Sequence, residues 1–221
     1  TAGTVSTAQW SNVETFYTAA DFLSYSNALY VVRVSDGNKA DGTAVAALTD
    51  VVAKYPGELG NSLKVEVIIP TEYDVNGDYT GSATTARFFD YAPDTNELHI
   101  AVIDNDGAIS GIAGTVLEKY TALSTIAGAK TINGANNYAP DVLEQSSQYI
   151  TATSAVNLTT ASATLSGGTD GSDEGAISMG ELQLGWDEFK NAEEVEVSFL
   201  MQGKARDQHA LGSYIIGIAE G

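Results

Sequence analysis

The stretch that decides the fold is Lys54–Pro70, KYPGELGNSLKVEVIIP, a tight turn that leads directly into a strand. Pro56 fixes one backbone angle, and Gly57 supplies a position where a positive φ carries no steric cost. Gly60 and Asn61 form a second bend before the strand begins. Apolar residues then recur at the two-residue period of a strand with one buried face, at Leu63, Val65, Val67 and Ile69.

Composition excludes several functional classes. The chain has 221 residues, 43% of them hydrophobic and 18% charged, which is typical of a folded domain with a real core. No apolar run approaches the roughly 18 residues that a membrane span needs. The chain has no cysteine, which excludes disulfide scaffolds and thiol catalysis. Its formal charge is −19, and a phosphate-binding surface needs an excess of basic groups. We therefore expect neither membrane insertion nor nucleic-acid binding.

Helical and strand patterns alternate before the turn. Ser11 and Glu14 form a capping box that predicts a helix from near Asn12. The β-branched and aromatic run Ala28–Val34 predicts a buried strand. Apolar residues at helical spacing over Thr43–Lys54 predict a second helix, which ends at the turn.

Strand patterns dominate the middle of the chain. Thr84–Tyr91, Asn96–Ile103 and Ala108–Val116 are predicted as a three-stranded antiparallel meander with turn residues between the strands. Thr115–Ser124 fits both the tail of a strand and a short helix. Gly128–Tyr138 is rich in Gly and Asn and is predicted as a loop.

Short helices and strands complete the pattern. Pro140 at a first helical position predicts a helix over about Asp141–Tyr149. Two short strands are predicted next, at Tyr149–Ala155 and Ala161–Ser166. The remaining signals are a capping box at Ser178 and Glu181, a strand over Glu194–Met201, and a last helix with Leu211, Tyr214, Ile215 and Ile218 on one face. We expect an α+β fold, a β-sheet or sandwich with several short peripheral helices, formed by one domain over residues 1–221.

No catalytic residue, cofactor site or metal site is predicted. The chain contains neither a phosphate-binding P-loop nor a nucleophile elbow. Its two histidines, His99 and His209, are interpreted as structural or solvated. Asp74, Asn76 and Asp78 begin like a calcium loop, but Tyr79 stands where that loop needs glycine.

One further acidic loop, Asp170–Glu174, has the composition to touch a cation. The spacing of Trp186 and Phe189 favours core anchors over a carbohydrate platform. No pair of a nucleophile and a base is recognisable, so we expect a protein that is not an enzyme.

Several motifs together resemble one protein family. YPGELGN at 55–61, followed by an alternating strand, is similar to a turn of the contractile tail sheath protein of myovirus bacteriophages. LSGG at 165–168 also resembles a sheath motif, and the segments ADFLSYSNALYVVRVSD, ARFFDYAPDTNELHIAVID, NYAPDVLEQSSQYITA and EVEVSFLMQG match in the same order. The residues that carry the two motifs are Tyr55, Pro56, Gly57, Gly60, Asn61, Gly167 and Gly168.

The resemblance implies a structural role without a cofactor. Sheath subunits form a homo-oligomer of stacked rings around the tail tube, and they contract as rigid bodies when the baseplate triggers. It also implies a virion location, with assembly in the host cytoplasm. The family's C-terminal domain and terminal arms, which contact the tube and neighbouring subunits, lack counterparts here, so we expect a fragment of a longer protein from the outer or middle region.

The acidity suggests how such subunits meet. Like charges repel, so the acidic surfaces are expected to make few tight contacts in the extended state. The candidates for inter-subunit contact are the scattered basic residues Lys119, Lys130, Lys190, Lys204 and Arg206.

Two other interpretations fit the same residues. One is the sheath of a related contractile machine, such as type VI secretion or a phage-tail-like bacteriocin. The other is an acidic, cysteine-free bacterial surface or adhesin domain, in which Asp170–Glu174 binds calcium.

Overall fold

The computed structural model describes residues 13–42, 48, 50–152, 161–172, 176–191, 193–202 and 210–220. The chain divides into two compact units, of which unit 1 comprises residues 1–36 and 171–221 and unit 2 comprises residues 37–170. The described residues contain four α-helices and two antiparallel sheets, which confirms the α+β class. None of the helices in these ranges has the length and apolar character needed to cross a membrane.

A four-stranded antiparallel sheet forms the centre of unit 2. Its strands are β2 (Leu63–Ile68), β3 (Glu97–Asp104), β4 (Thr115–Ser124) and β6 (Ala161–Thr164). They lie in the order β4-β3-β2-β6. The strand predicted over Asn96–Ile103 is therefore confirmed as β3, and the ambiguous segment 115–124 is a strand.

The described part of unit 2 also contains a smaller sheet and one α-helix. β1 (Val51–Ala53) pairs with β5 (Ile150–Ala152), and α2 (Ala139–Ser146) begins one residue before Pro140, which the sequence placed at a first helical position. Residues of both sheets and of α2 share one core, in which the largest fully buried members are Leu48, Leu98, Ile100, Leu143, Ile150 and Leu165. Burial of such side chains stabilises the fold by about 1.5–3 kcal/mol each.

The helix predicted over Thr43–Lys54 is wrong at its C-terminal end. Residues 43–47 and 49 lie outside the described residues, but Val51–Ala53 is the strand β1. The Ala53 amide donates to the Ala40 carbonyl at 2.7 Å, and all three residues of β1 pair with β5. These tertiary hydrogen bonds outweigh a helical apolar spacing, which is a weak preference by itself.

Strand β2 is buried on both faces, whereas the sequence predicted one buried face. Val65 and Val67 point into the main core, and Ile68 belongs to a second cluster with Ala101 and Phe89. This second cluster forms because the segment 83–89 lies across the sheet. The strand predicted over Thr84–Tyr91 is wrong, since the segment contains a short 3-10 helix at Ala86–Phe88.

The covering segment donates hydrogen bonds to a buried carboxylate. Glu66 is 1% exposed, and it accepts hydrogen bonds from the amide of Thr85 at 3.0 Å, the hydroxyl of Thr85 at 2.7 Å and the ammonium of Lys64 at 2.7 Å. Burial raises the pKa of Glu66, but these donors outweigh it and hold the pKa below its ordinary value. Thr85 donates to this carboxylate, so the segment lies across the sheet rather than extending it.

A buried histidine fills a bulge in β4. Leu98 faces Leu123 and Ile100 faces Tyr120, so two residues of β4 lie opposite His99. The ring of His99 is fully buried and stacks on Phe89, with 4.4 Å between ring centroids. Its Nδ1 accepts from the Ala122 amide at 2.9 Å, and its Nε2–H donates to the Tyr91 carbonyl at 2.7 Å. The neutral ring therefore supplies the partner that the bulged backbone lacks.

The described part of unit 1 contains three helices, α1 (Val13–Leu23), α3 (Met179–Asp187) and α4 (Ala210–Glu220). The capping box at Ser178 and Glu181 is confirmed, because each side chain bonds the other residue's backbone amide. Leu211 and Ile215 are buried on the predicted face of α4. The first predicted helix is confirmed as α1, although Ser11 of its capping box lies outside the described residues.

Two strands predicted in unit 1 are wrong. Neither Ala28–Val34 nor the described Glu194–Met201 is paired as a strand, and Val31 and Phe199 are 77% and 69% exposed. An apolar run specifies a strand only when a neighbouring strand completes its hydrogen bonds. Within the described part of unit 1, no neighbouring strand does so.

His99 gives the fold a testable pH dependence. Burial lowers the pKa of His99 below its ordinary value of 6.5, so the unfolded chain binds a proton more readily. The stability from the neutral ring is complete above pH 6.5 and is lost as the pH falls toward the folded-state pKa. We expect His99→Gln to flatten the decline in unfolding free energy between about pH 7.5 and 5.5, measured by urea denaturation.

His209→Gln is the matched control, since it removes the other histidine without altering β3. It should keep the wild-type decline. An unchanged decline in His99→Gln would show that this ring does not produce the pH dependence.

Candidate functional site: the motif junction

The two sequence motifs meet in the structure. We call this contact the motif junction and define it as residues 55–61, 165–170 and 38–41. The Asn61 side chain donates from Nδ2 to the Gly168 carbonyl at 2.9 Å, and its Oδ1 accepts from the Gly168 amide at 2.8 Å. The two residues are 107 positions apart in sequence. Sequence reasoning identified both motifs but missed their contact, for which their joint occurrence was the only signal.

Glycine at two positions makes this approach possible. A Cβ on Gly168 would lie 2.4 Å from the Gly57 carbonyl oxygen, closer than any side chain tolerates. Gly57 itself has φ of 145°, which side-chain-bearing residues rarely adopt. Of the other predicted motif glycines, Gly60 is buried beside Ala40 and Gly167 has φ of 81°.

A third segment joins the two motifs. The Gly57 amide donates to the Asn38 carbonyl at 3.2 Å, and the Thr169 amide donates to the same carbonyl at 3.0 Å. Asp41 and Ser166 exchange a pair of backbone hydrogen bonds at 2.9 Å each. The junction therefore binds together the first and last residues of unit 2.

The turn itself is a short 3-10 helix, Glu58–Ser62. The Glu58 amide at its start donates to the Asp170 carboxylate at 2.9 Å, so this acidic residue has a structural partner. Tyr55 lies in the turn, but its side chain is 64% exposed, and Leu59 is 55% exposed. The folding of the turn therefore rests on its glycines and Asn61 rather than on Tyr55.

Ser62, at the end of this helix, organises the loop that follows β3. Its hydroxyl contacts the carboxylates of both Asp104 and Asp106. Asp104 is fully buried and also accepts from the amides of Gly107, Ile109 and Ser110. Burial raises the pKa of Asp104, but the hydrogen bonds outweigh it and hold the pKa far below its ordinary value. Residues 105–114 consequently form a tight loop, and the strand predicted over Ala108–Val116 is wrong except at its last two residues, which begin β4.

The carboxylate of the predicted calcium-like loop accepts hydrogen bonds from the backbone of that loop. Asp74 accepts from the amides of Asn76 and Asp78, at 2.8 and 2.9 Å, which closes a turn rather than leaving the carboxylate for a cation. No group of three acidic or histidine side chains with metal-binding geometry occurs among the described residues. Asp173 and Glu174 lie outside them.

The predicted contact lysines have different surroundings. The Lys119 ammonium donates to the Phe88 carbonyl at 3.1 Å, and Lys190 pairs with Asp187 at 2.6 Å. Lys130 is exposed and has no side-chain partner within the described ranges. Lys204 and Arg206 lie outside the described residues. The inter-subunit role of all five basic residues stays a prediction.

Unit 1 contains an apolar cavity that the sequence did not indicate. Its volume is about 630 Å³, and its walls are α1, residues 26–34, α3 and residues 196–202. Trp186 and Phe189 contribute to its lining, with 5.7 Å between their ring centroids. They are partly buried, which agrees with an anchoring role within unit 1.

Asn61→Ala tests the motif junction. The substitution leaves the amide and the carbonyl of a buried glycine without partners, so we expect the free energy of unfolding to fall by about 2 kcal/mol or more in urea denaturation. Asn61→Asp keeps the acceptor and loses the donor, and it should give an intermediate loss.

Asn133→Ala is the control for this series, because Asn133 lies in an exposed turn. It should change stability by less than about 0.5 kcal/mol. Equal stability of Asn61→Ala and Asn133→Ala would contradict the proposed importance of the junction.

Asp104→Asn tests the loop after β3. An amide places N–H groups where Asp104 accepts from five separate donors, so we expect a clear loss of stability at pH 7. Asp106 is exposed and also contacts the Ser62 hydroxyl, so Asp106→Asn should reduce the free energy of unfolding much less. Because the folded pKa of Asp104 is lowered, the loss of stability that Asp104→Asn causes relative to the wild type should shrink as the pH falls below the ordinary value of 3.8. A loss that stays constant in acid would contradict the role of the ionised carboxylate.

The chain is similar to curated tail sheath proteins. The tail sheath protein of Enterobacteria phage T4 is 31% identical over 166 residues, which are 69% of this chain and 24% of that protein. The tail sheath protein of Salmonella phage ViI is 29% identical over 145 residues, which are 56% of this chain and 22% of that protein. No family model matches the chain. The chain thus spans about a quarter of the length of the curated relatives it matches.

Solved structures give a weaker likeness. Crystal structures of sheath tail proteins from Desulfitobacterium hafniense and Listeria innocua align with a TM-score of 0.36 each, at 20% and 18% identity. The alignments cover 85% of this chain and 32% and 31% of those chains. At this TM-score the likeness is no evidence of a shared fold, so the relationship rests on sequence identity. The predicted resemblance is confirmed, and over 69% of its length this chain is similar to a phage tail sheath protein.

Proposed function

We propose that the chain is part of a structural subunit of a contractile phage tail sheath. The sheath polymerises around the tail tube and contracts to drive the tube through the host envelope. The observation that carries this proposal is the 31% identity to a tail sheath protein over 166 residues. The motif junction supports it, because the two motifs that resemble the sheath family fold into one contact.

The construction of unit 2 suits a part that moves as a rigid body. Motif glycines and the Asn61 side chain hold its first and last residues together. Its buried carboxylates, Glu66 and Asp104, have several donors each, so opening unit 2 would leave charges without partners. In a contracting assembly, such a unit confines movement to interfaces and linkers.

The free energy of contraction needs no reaction within the chain. Subunit contacts that differ between two states supply it, and no cofactor enters the process. The protein is accordingly not an enzyme in this proposal. Residues 1–221 act as one sheath domain built from two structural units.

The partners follow from this role. Copies of the subunit form a homo-oligomer of stacked rings, located in the virion tail after assembly in the host cytoplasm. Tube and baseplate are contacted by parts of the protein outside this chain. Neither nucleic acid nor a membrane is a partner, which fits a chain with 29 acidic and 10 basic residues.

Electron microscopy of native particles tests the proposal. An antibody raised against the 221-residue chain should label a helical array around the tail tube, in extended and in contracted particles alike. An antibody against an unrelated phage protein is the control for non-specific labelling. Label on isolated monomers away from any tube, or turnover of a substrate by the purified protein, would contradict the proposal.

A further inference from the structure

Unit 2 contains two turns with the same structure. Turn 1 is YDVNGDY at residues 73–79, and turn 2 is KTINGAN at residues 130–136. The residues at the base of each turn form an isolated bridge, Tyr73 with Tyr79 and Lys130 with Asn136. Aligned on their Asn-Gly pairs, the two turns also share a β-branched aliphatic residue before that pair, and their other four positions differ.

Their hydrogen bonds match as well. In turn 1 the Gly77 amide donates to the Asp74 carbonyl at 3.0 Å, and in turn 2 the Gly134 amide donates to the Thr131 carbonyl at 2.8 Å. Side-chain oxygens of Asp74 and Thr131 accept from the backbone amides four residues later, at 2.9 and 3.2 Å. Both glycines have positive φ, of 85° and 81°. Backbone hydrogen bonds and the side chain of Asp74 or Thr131 therefore close each turn.

A β-branched aliphatic residue stands at the same position of each turn. Val75 and Ile132 are each 102% exposed, so neither side chain contributes to packing within the chain. Single exposed apolar residues are common on protein surfaces and need no explanation. Two at equivalent positions of matched turns suggest a contact surface.

Both turns follow strands that finish at the same end of the four-stranded sheet. Strands β2 and β4 run in the same direction, because each is antiparallel to β3, which lies between them. β2 ends opposite His99 and β4 ends opposite Glu97, so their ends lie side by side. With strands about 4.8 Å apart, these ends are separated by about 10 Å.

The turns differ in charge. Turn 1 contains Asp74 and Asp78 and no basic residue, whereas turn 2 contains Lys130 and no acidic residue. The carboxylate of Asp78 and the ammonium of Lys130 are exposed, and neither pairs with another residue in the described ranges. The two turns have similar backbone structures and charges of opposite sign, so the charge of turn 1 in one copy complements the charge of turn 2 in another.

We propose that turn 1 of one copy contacts turn 2 of a neighbouring copy of the same protein. Val75 packs against Ile132 of the neighbouring copy, and Asp78 pairs with its Lys130. The proposal rests on the sheath function, and it selects Lys130 from the basic residues that the sequence suggested.

Cross-linking tests the contact with little background, because the chain contains no cysteine. Val75→Cys and Ile132→Cys subunits are mixed, assembled and treated with a short bis-maleimide. We expect a product that joins one subunit of each kind. Ile112→Cys replaces Ile132→Cys in the control, since Ile112 is 71% exposed in the loop after β3, at the other end of the sheet. This control pair should give about a tenth of the product or less.

Charge reversal supplies a second measurement. Asp78→Lys in the Val75→Cys subunit should lower the yield severalfold, and adding Lys130→Glu to the Ile132→Cys subunit should restore it. Equal yields in all three pairs, or equal yields with the Ile112→Cys control, would overturn the contact.

The result is read together with microscopy of the same wild-type particles. A tube-bound array without the product between residues 75 and 132 overturns the contact and leaves the sheath function standing. The product without such an array supports the contact and overturns the sheath function. Absence of both overturns both.

Discussion

A single asparagine amide connects the two segments that define this chain. The Asn61 side chain donates to and accepts from the backbone of Gly168, much as a neighbouring strand would. This contact requires the bend at Gly57 and the absence of a side chain at Gly168. It also places residues 38–41 and 165–170 side by side, so that unit 2 begins and ends at one point. The core of unit 2 is thereby closed between two distant parts of the sequence.

Buried charge imposes a second constraint on the same unit. Glu66 lies in the middle of β2 and Asp104 at the end of β3, and each carboxylate is satisfied by a segment that the sequence predicts as a strand. An unpaired buried carboxylate is costly, so the amides of residues 85, 107, 109 and 110 are drawn to these groups. The segments consequently fold over the sheet as a cover and a loop.

Within the proposed sheath, these constraints make one part of unit 2 rigid and leave a different part to contact other subunits. The core and the motif junction fix the shape of unit 2, while its exposed turns and loops present the residues that meet other subunits. The net charge of −19 makes non-specific association between copies unfavourable, so contacts need local complementarity. In the proposed contact, two turns of similar backbone structure and opposite charge provide this complementarity.

The sequence by itself determined the local elements: the double turn before β2, the strand β3, the proline at the start of α2 and the capping box of α3. Each depends on neighbouring residues alone, through φ preferences, alternation or a side chain capping its own helix. Tertiary structure decided the pairing of Val51–Ala53 as a strand, the cover over Glu66 and the contact of Asn61 with Gly168. Their partners lie up to 107 residues away, and a local pattern carries no record of which distant group will complete a hydrogen bond.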